Sequence, residues 1–141
     1  MNLGFKLFVK AHVWLYQASG GRLGTKMQGR TLILLTTTGK KSGVRRTVPV
    51  VPYFEGDNLY VMASLAGAPQ HPAWFHNLSA NPEVGVQLGA EKWRARAEIV
   101  EDKAERDRLW KEIAEAMPNF GAYQKKTTRV IPVVKLVRQA G

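Results

Sequence analysis

The chain has no cysteine in its 141 residues. That excludes disulfides and every metal centre or nucleophile that needs a thiolate, and it is compatible with a reducing compartment such as the cytoplasm. Acids are missing from one end: residues 1–54 carry nine Lys/Arg and no Asp or Glu, whereas residues 55–141 carry twelve Lys/Arg and eleven acids. No stretch reaches the ~20 apolar residues that span a bilayer. No repeat or low-complexity tract is visible. Histidine is scarce, with His12, His71 and His76 in no metal-ligand spacing, so no metal site is expected. There is no phosphate-binding Walker loop, G-x-S-x-G elbow or G-x-G-x-x-G turn. If the chain is an enzyme, its difficult chemistry falls to a bound organic cofactor.

What is present is an apolar fraction of 45% with 9% aromatic residues and a net charge of +10. These values describe one globular domain over residues 1–141 with a real core. The concentration of charge in the first 54 residues predicts a polyanionic partner: nucleic acid, an anionic membrane surface, or a small molecule bearing phosphate and carboxylate groups. The nucleic-acid reading lacks both aromatic residues interleaved with the cations and a known motif, so no nucleic-acid partner is expected.

"NLGFKLFVKAHVWLYQAS" (2–19) reads as a helix stopped by Gly20 and Gly21. Lys6, Lys10 and His12 interrupt its apolar surface, which also argues against a signal peptide. Two readings stand: a helix packed on the core or in a homodimer, and an interfacial helix with Trp14 and Tyr16 at the headgroups and its lysines facing anionic lipid, which makes the protein peripheral at the inner face of the plasma membrane. From residue 30 the texture turns to short β-rich runs at 31–38, 45–54, 59–64, 84–89, 91–100 and 130–138. In the fifth run Trp93, Ala95, Ala97 and Ile99 face one way, and Lys92, Arg94, Arg96 and Glu98 the other. Helices are expected in "HPAWFHNLSANP", with Pro72 at its start, and in "DKAERDRLWKEIAEAM", where Asp102 and Glu105 form a capping-box-like pair. Six short strands without long crossovers predict a mainly β fold, an antiparallel barrel flanked by helices.

Two stretches carry candidate chemistry. "TTTGKKSGVRR" (36–46) places Lys40, Lys41, Arg45 and Arg46 around Gly39, Ser42 and Gly43 at the tip of a hairpin. Such a turn either cradles phosphate or carboxylate oxygens or is only a soluble loop. "ASLAGAPQHPAWFHNLSANP" (63–82) puts small residues directly after a strand and then opens a helix, which lets backbone approach a ligand. Trp74 either packs in the core or walls a ring-binding pocket.

Together, "LLTTTGKKSGVRRTVPV" and "YVMASLAGAPQHPAWFHNLSANPEVGVQLG" resemble the deazaflavin (coenzyme F420)-dependent nitroreductase and quinone reductase family of actinobacteria, over roughly residues 10 to 138. The resemblance implies a split β-barrel of the FMN-binding type. It implies hydride transfer from reduced F420 to quinones, nitroaromatics or other electrophilic conjugated substrates, with FMN as the alternative cofactor. It implies that Lys40, Lys41, Ser42, Gly43, Val44, Arg45 and Arg46 hold the coenzyme's phosphate and oligoglutamate tail. Val48, Pro49, Ala63, Ser64, Leu65, Ala66, Gly67 and Trp74 would lie at the ring, and Ser64 and Tyr123 are the candidates for proton chemistry. Family members commonly read A-S-K-G-G where this chain has Ala63-Ser64-Leu65-Ala66-Gly67, so a lysine is lost. On the substrate side Met117 and Phe120 lack a hydroxyl and Tyr123 keeps one, which favours quinones over bicyclic nitroimidazoles. A non-catalytic module that binds deazaflavin or lipid on the same fold is the competing reading.

Overall fold

The structure is a computed structural model that describes residues 3–22, 24, 26–27 and 30–140. Helix α1 (Leu3–Ala18) is followed by the short pair β1 (Lys26–Met27) and β2 (Arg30–Thr31), then by β3 (Ile33–Thr38), β4 (Arg45–Val50), β5 (Pro52–Glu55) and β6 (Asn58–Met62). A 3-10 turn (Leu65–Gly67) leads to α2 (Ala73–Ala80), β7 (Glu83–Leu88), β8 (Glu91–Ile99), α3 (Lys103–Ala116), α4 (Pro118–Lys125) and β9 (Val133–Arg138). The expected first helix is present; Asn2, its first expected residue, lies outside the described residues.

Seven strands form one antiparallel sheet in the order β4-β3-β7-β8-β9-β6-β5. Its two edge strands, β4 and β5, are joined by Val51 alone. In a flat sheet those edges would stand six strand spacings apart, about 28 Å, far beyond the reach of one residue. The sheet therefore curls until its edges meet as a split barrel, with the seam at Val51. The run 45–54, which reads as one strand in the sequence, is two: Pro52, with no N–H for a ladder, starts the second.

The barrel interior holds Ile33, Leu35, Leu59, Val61, Val84, Val86, Ala95, Val134 and Leu136, with Leu78 of α2 closing one end. The opposite face of β6 and β9 presents Tyr60, Met62 and Val133 to Leu109, Ile113, Met117 and Phe120 of α3 and α4, a second core. Asp102 caps α3 by accepting the Glu105 amide at 2.9 Å, as the sequence suggests. Helix α1 lies outside the barrel and is pinned by Tyr16, which is fully buried. The Tyr16 hydroxyl sits 3.1 Å from the Leu32 carbonyl and 3.2 Å from the Gln87 carbonyl, and accepts the Gly89 amide at 2.9 Å. Among the described residues no helix is long and apolar enough to cross a membrane.

Candidate active site

The strand after Met62 cannot continue, because Ser64 N–H turns back to the Met62 carbonyl at 2.9 Å. Leu65 and Ala66 then adopt φ of 44° and 54°, the left-handed region that side chains with a Cβ disfavour. Such strain costs about 1–3 kcal/mol per residue and persists only where the surroundings over-determine it. Here the constraint is Arg129. Its Nη2 donates to the Ser64 carbonyl at 2.7 Å, Nε to Ala68 at 2.9 Å and Nη1 to Ala63 at 3.1 Å, and Nη1 also meets His71 Nδ1 at 3.0 Å. Gly67, with φ of 82°, completes the turn, and a Cβ there would stand 2.7 Å from the Tyr123 carbonyl. The 63–68 loop thus lies clamped between the Arg129 fork and α4.

Arg129 has no carboxylate partner among the described residues; carbonyls and an imidazole satisfy it, and burial lowers its pKa. His71 accepts at Nδ1 and is held neutral: desolvation lowers its pKa first, then the Arg129 charge, then His76. The position after Ser64 carries Leu65, and a cation comes instead from the end of α4, where Lys126 Nζ approaches the Ala66 carbonyl at 3.4 Å.

This loop forms one wall of a cleft of about 250 Å³ at the barrel seam. Ser64, Leu65 and Ala66 face Pro49, Val50 and Val51 of the seam, and Trp74, Asn119, Phe120 and Tyr123 are among the other lining residues. Asn119, Phe120 and Tyr123 share one face of α4 by helical spacing, and the Phe120 and Tyr123 rings meet edge to face, 5.6 Å between centroids. The Asn119 Oδ1 is buried without a hydrogen-bond partner among the described residues. A buried acceptor left open in an apolar cleft fits a ligand ring that brings an N–H.

A second cavity of about 500 Å³ lies along the β3–β4 hairpin, lined by Gly39, Lys40, Lys41, Ser42 and Arg46 with Ala73, His76 and Asn77 of α2. Asn77 fastens the helix to the hairpin: its Oδ1 accepts the Lys40 amide at 3.0 Å and its Nδ2 donates to Thr37 Oγ1 at 3.2 Å. Ser42 Oγ accepts the Val44 amide at 3.1 Å and occupies the space a Cβ on Gly39 would need. The first turn of α2 therefore separates cleft from groove, with Trp74 on one side and Ala73, His76 and Asn77 on the other.

Not every sequence-derived candidate falls into these two cavities. Strand alternation sends Arg45 and Arg46 to opposite faces, and Arg45 reaches across the outer face to Gly85 instead of joining the groove. Gly43, with φ of 71°, shapes the hairpin turn, and Val44 is exposed beside it. Val48 pairs with Leu35 on the interior-facing row. Ala63 is fully buried under the loop, and Met117 packs in the second core, outside the cleft lining. Asn77, His71 and Arg129 have no sequence signature, because each acts on a backbone group or a partner distant in sequence, and Asn119 has none because its acceptor is left open.

Residues 8–138 match the model of the family described as F420H(2)-dependent quinone reductase. An F420H(2)-dependent quinone reductase of Mycobacterium tuberculosis is 35% identical over 141 residues, which cover 98% of this chain and 94% of that protein. The solved structure of an F420-H2 dependent reductase (FDR-A) is 42% identical, with a TM-score of 0.67 over 74% of this chain and 92% of its own. A solved domain-swapped dimer is 37% identical, with a TM-score of 0.70 over 90% and 95% of the two chains. At the level of the fold alone, the heme storage protein HutZ of Vibrio cholerae superposes with a TM-score of 0.59 at 17% identity, over 81% of this chain and 85% of its own. With a barrel split at a one-residue seam, an apolar cleft beside a basic groove, and a family match that runs nearly end to end, the chain belongs to the F420H(2)-dependent quinone reductase family.

Proposed function

We propose that the protein holds reduced F420 with its ring in the seam cleft and its anionic tail along the hairpin groove, and reduces a quinone there. The observation that carries this reading is the juxtaposition of an apolar cleft and a cationic groove on the two sides of one helical turn. A ligand flat and apolar at one end and polyanionic at the other matches that layout. Bound F420 supplies the hydride. The chain supplies position and exclusion of water. Trp74, Pro49 and Phe120 would wall the ring, Asn119 Oδ1 would accept a ring N–H, and Ser64, Leu65 and Ala66 would line the same cleft, with buried Ala63 and Gly67 shaping the turn that carries them. Lys40, Lys41, Ser42 and Arg46 meet the tail, with Gly43, Val44 and Val48 shaping that hairpin. Ser64 and Tyr123 are the hydroxyl-bearing groups at the cleft, and Tyr123 is the proposed proton donor to the reduced quinone. With Phe120 and the adjacent Met117 lacking hydroxyls, quinones are favoured over bicyclic nitroimidazoles.

Titration with F420, followed by addition of menadione to the reduced complex, tests the reading. Saturable binding and loss of reduced deazaflavin absorbance are expected. Lys41→Gln with Arg46→Gln should raise the coenzyme dissociation constant about tenfold while leaving kcat near its original value. Tyr123→Phe should lower kcat about a hundredfold, the lower end for a lost general acid. Binding without oxidation would leave a deazaflavin- or lipid-binding module, and preference for FMN over F420 in competition would overturn the cofactor assignment.

A membrane-facing role for α1 rests on a separate observation. Leu3, Phe8 and Trp14 are 72%, 55% and 68% exposed on a helix whose only charged side chains are Lys6 and Lys10. Such a surface suits the interface of an anionic bilayer. Flotation with phosphatidylglycerol vesicles, reduced by Trp14→Ser with Phe8→Ser, is the expected result. A homodimer that covers α1, in keeping with the solved dimer of a relative, would instead appear as a doubled mass by light scattering and no flotation.

A further inference from the structure

Residues 127–132 belong to no helix or strand, yet this segment carries Arg129, whose fork holds the 63–68 loop. A side chain clamps only as firmly as its own backbone is held. Among the described residues, Arg129 and Ile131 make no backbone-to-backbone bond, and side chains take that place. Gln124 Nε2 donates to the Arg129 carbonyl at 2.7 Å, and Gln124 Oε1 accepts the Ile131 amide at 2.9 Å. One amide thus engages a carbonyl and the N–H two residues on, as a neighbouring strand would. Thr127 Oγ1 accepts the Arg129 amide at a longer 3.3 Å.

Gln124 is itself held from α3. Arg106 Nη2 donates to the same Oε1 at 3.1 Å and to the Ile131 carbonyl at 2.6 Å, and its guanidinium lies over the Trp110 ring, 4.7 Å from the centroid. The two partners of Oε1 are donors only and the Arg129 carbonyl is an acceptor only, so a single orientation of the amide satisfies all three. A glutamine kept for helix propensity alone needs none of these partners. Gln124 also follows Tyr123 on α4, the helix that gives Asn119, Phe120 and Tyr123 to the seam cleft. Two walls of the cleft therefore meet at Gln124: α4 carries it, and the 63–68 loop hangs from the residue whose backbone it bonds.

We infer that Gln124 is a positioning residue for the reduction: acting through Arg129, it sets Ser64, Leu65 and Ala66 relative to the cleft-lining residues of α4. The inference rests on the reading that the coenzyme ring lies in the seam cleft. Gln124 does not line that cleft, and it brings neither a proton nor a charge to the reaction. It holds the cleft walls at the spacing that keeps hydride donor and acceptor in contact, where a displacement of about 1 Å costs up to about a hundredfold in rate.

Gln124→Glu separates the two bonds. The carboxylate keeps acceptors for Ile131 and Arg106 but sets an oxygen against the Arg129 carbonyl, so the link to Arg129 alone is lost. Without coenzyme, the Gly67 and Ala68 amides should lose about tenfold of their protection from hydrogen exchange. With the enzyme saturated in reduced F420, the single-turnover rate with menadione should fall about tenfold, while the KM for menadione changes less than about threefold. A merely structural role would lower the amount of folded protein and leave that rate constant unchanged. In an Arg129→Gln background the same substitution should lower the rate less than about twofold, because the broken link no longer leads to the loop. Gln124→Met, which removes both bonds, carries the same expectations should Gln124→Glu fold poorly. Unchanged exchange at Gly67 and Ala68, an unchanged single-turnover rate, or losses that multiply in the double variant would each overturn the inference. Trp74→Leu, inside the cleft, checks the reading beneath it: unchanged F420 affinity in that variant removes the ring from the cleft whatever Gln124 does, and the inference falls with it.

Discussion

Replacing Arg129 tests how the 63–68 loop beside the candidate site is held. Arg129→Gln removes a fork that makes four contacts between 2.7 and 3.1 Å, three of them to carbonyls of the 63–68 loop. A glutamine is shorter and offers one nitrogen where the fork offers three, so two of the three carbonyls are expected to lose their partner. Each buried acceptor left open costs about 1–3 kcal/mol, and relief of the desolvated guanidinium returns part of that. The net expectation is a loss of about 2–3 kcal/mol. For a chain of this length, at about 3 °C per kcal/mol, the Tm falls by roughly 6–9 °C. The effect should also be local. The amides of Gly67 and Ala68, bonded to Ser64 and Leu65 carbonyls at 2.9 and 3.0 Å, should lose protection from hydrogen exchange by about 30- to 150-fold, the same free energy read at one site. Coenzyme affinity should fall with them, because Leu65 and Ala66 relax from their positive φ. Arg129→Lys keeps the charge without the fork and should recover at most half of the lost protection. If Arg129→Gln leaves both the Tm and the exchange of Gly67 and Ala68 within error of the parent, the loop is shaped by something else and the argument fails.

Other perturbations probe the same physics. His71 has its folded-state pKa lowered from 6.5, so the unfolded chain binds more protons in mild acid; its contribution is complete above about pH 6.5 and is lost as pH falls through the folded value. The urea midpoint should therefore fall as pH drops below about 6.5, and His71→Asn should flatten that slope; equal slopes in the two proteins would refute the assignment. Gly67→Ala combines a φ of 82° with a Cβ 2.7 Å from the Tyr123 carbonyl and should cost at least about 2 kcal/mol in chemical denaturation, with weaker coenzyme binding as α4 is displaced. Tyr16→Phe leaves the Gly89 amide without its acceptor at 2.9 Å and should cost about 1–3 kcal/mol; a variant as stable as the parent would show that α1 is held by apolar contact alone.

Much of the barrel was legible because strand alternation is a local signal. Ala95 is buried and Lys92, Arg94, Arg96 and Glu98 are exposed, as their period of two demands; Ile99, 37% exposed, departs because the strand end outruns the core. The break at Val51 was not legible. Nothing in "VPVVPYF" states that the residues before and after it belong to opposite edges of one sheet. Helix α4 was missed for a related reason: Gly121 in its middle reads as a breaker, yet a Cβ there would lie 3.3 Å from the Ala114 side chain, so the glycine lets α3 and α4 approach. The basic hairpin was legible as a charge cluster. Its division into Arg46 for the groove and Arg45 for the outer face follows from pairing register, which the cluster alone does not reveal. Arg129 stayed hidden because its partners are backbone carbonyls, and every residue has one.

The site's electrostatics depend on where acids are kept as much as on where cations stand. Arg108 gathers Glu55, Glu105 and Glu112 at 2.8, 2.6 and 3.2 Å, and bonding to Arg108 draws the Glu55 pKa down to about 2. Lys103 holds Asp107 at 2.6 Å. These pairs are solvent-exposed and individually contribute little to stability. Their larger consequence is that the carboxylates nearest the second core are occupied, while Lys40, Lys41 and Arg46 have no acidic partner among the described residues. A cation already paired would have to give up that partner before meeting a ligand, and the exchange would cancel most of the gain. Leaving the groove unpaired and Arg129 satisfied only by neutral acceptors keeps positive potential on both sides of α2's first turn. On the proposed reading, that is where the polyanionic tail and the ring of the coenzyme sit.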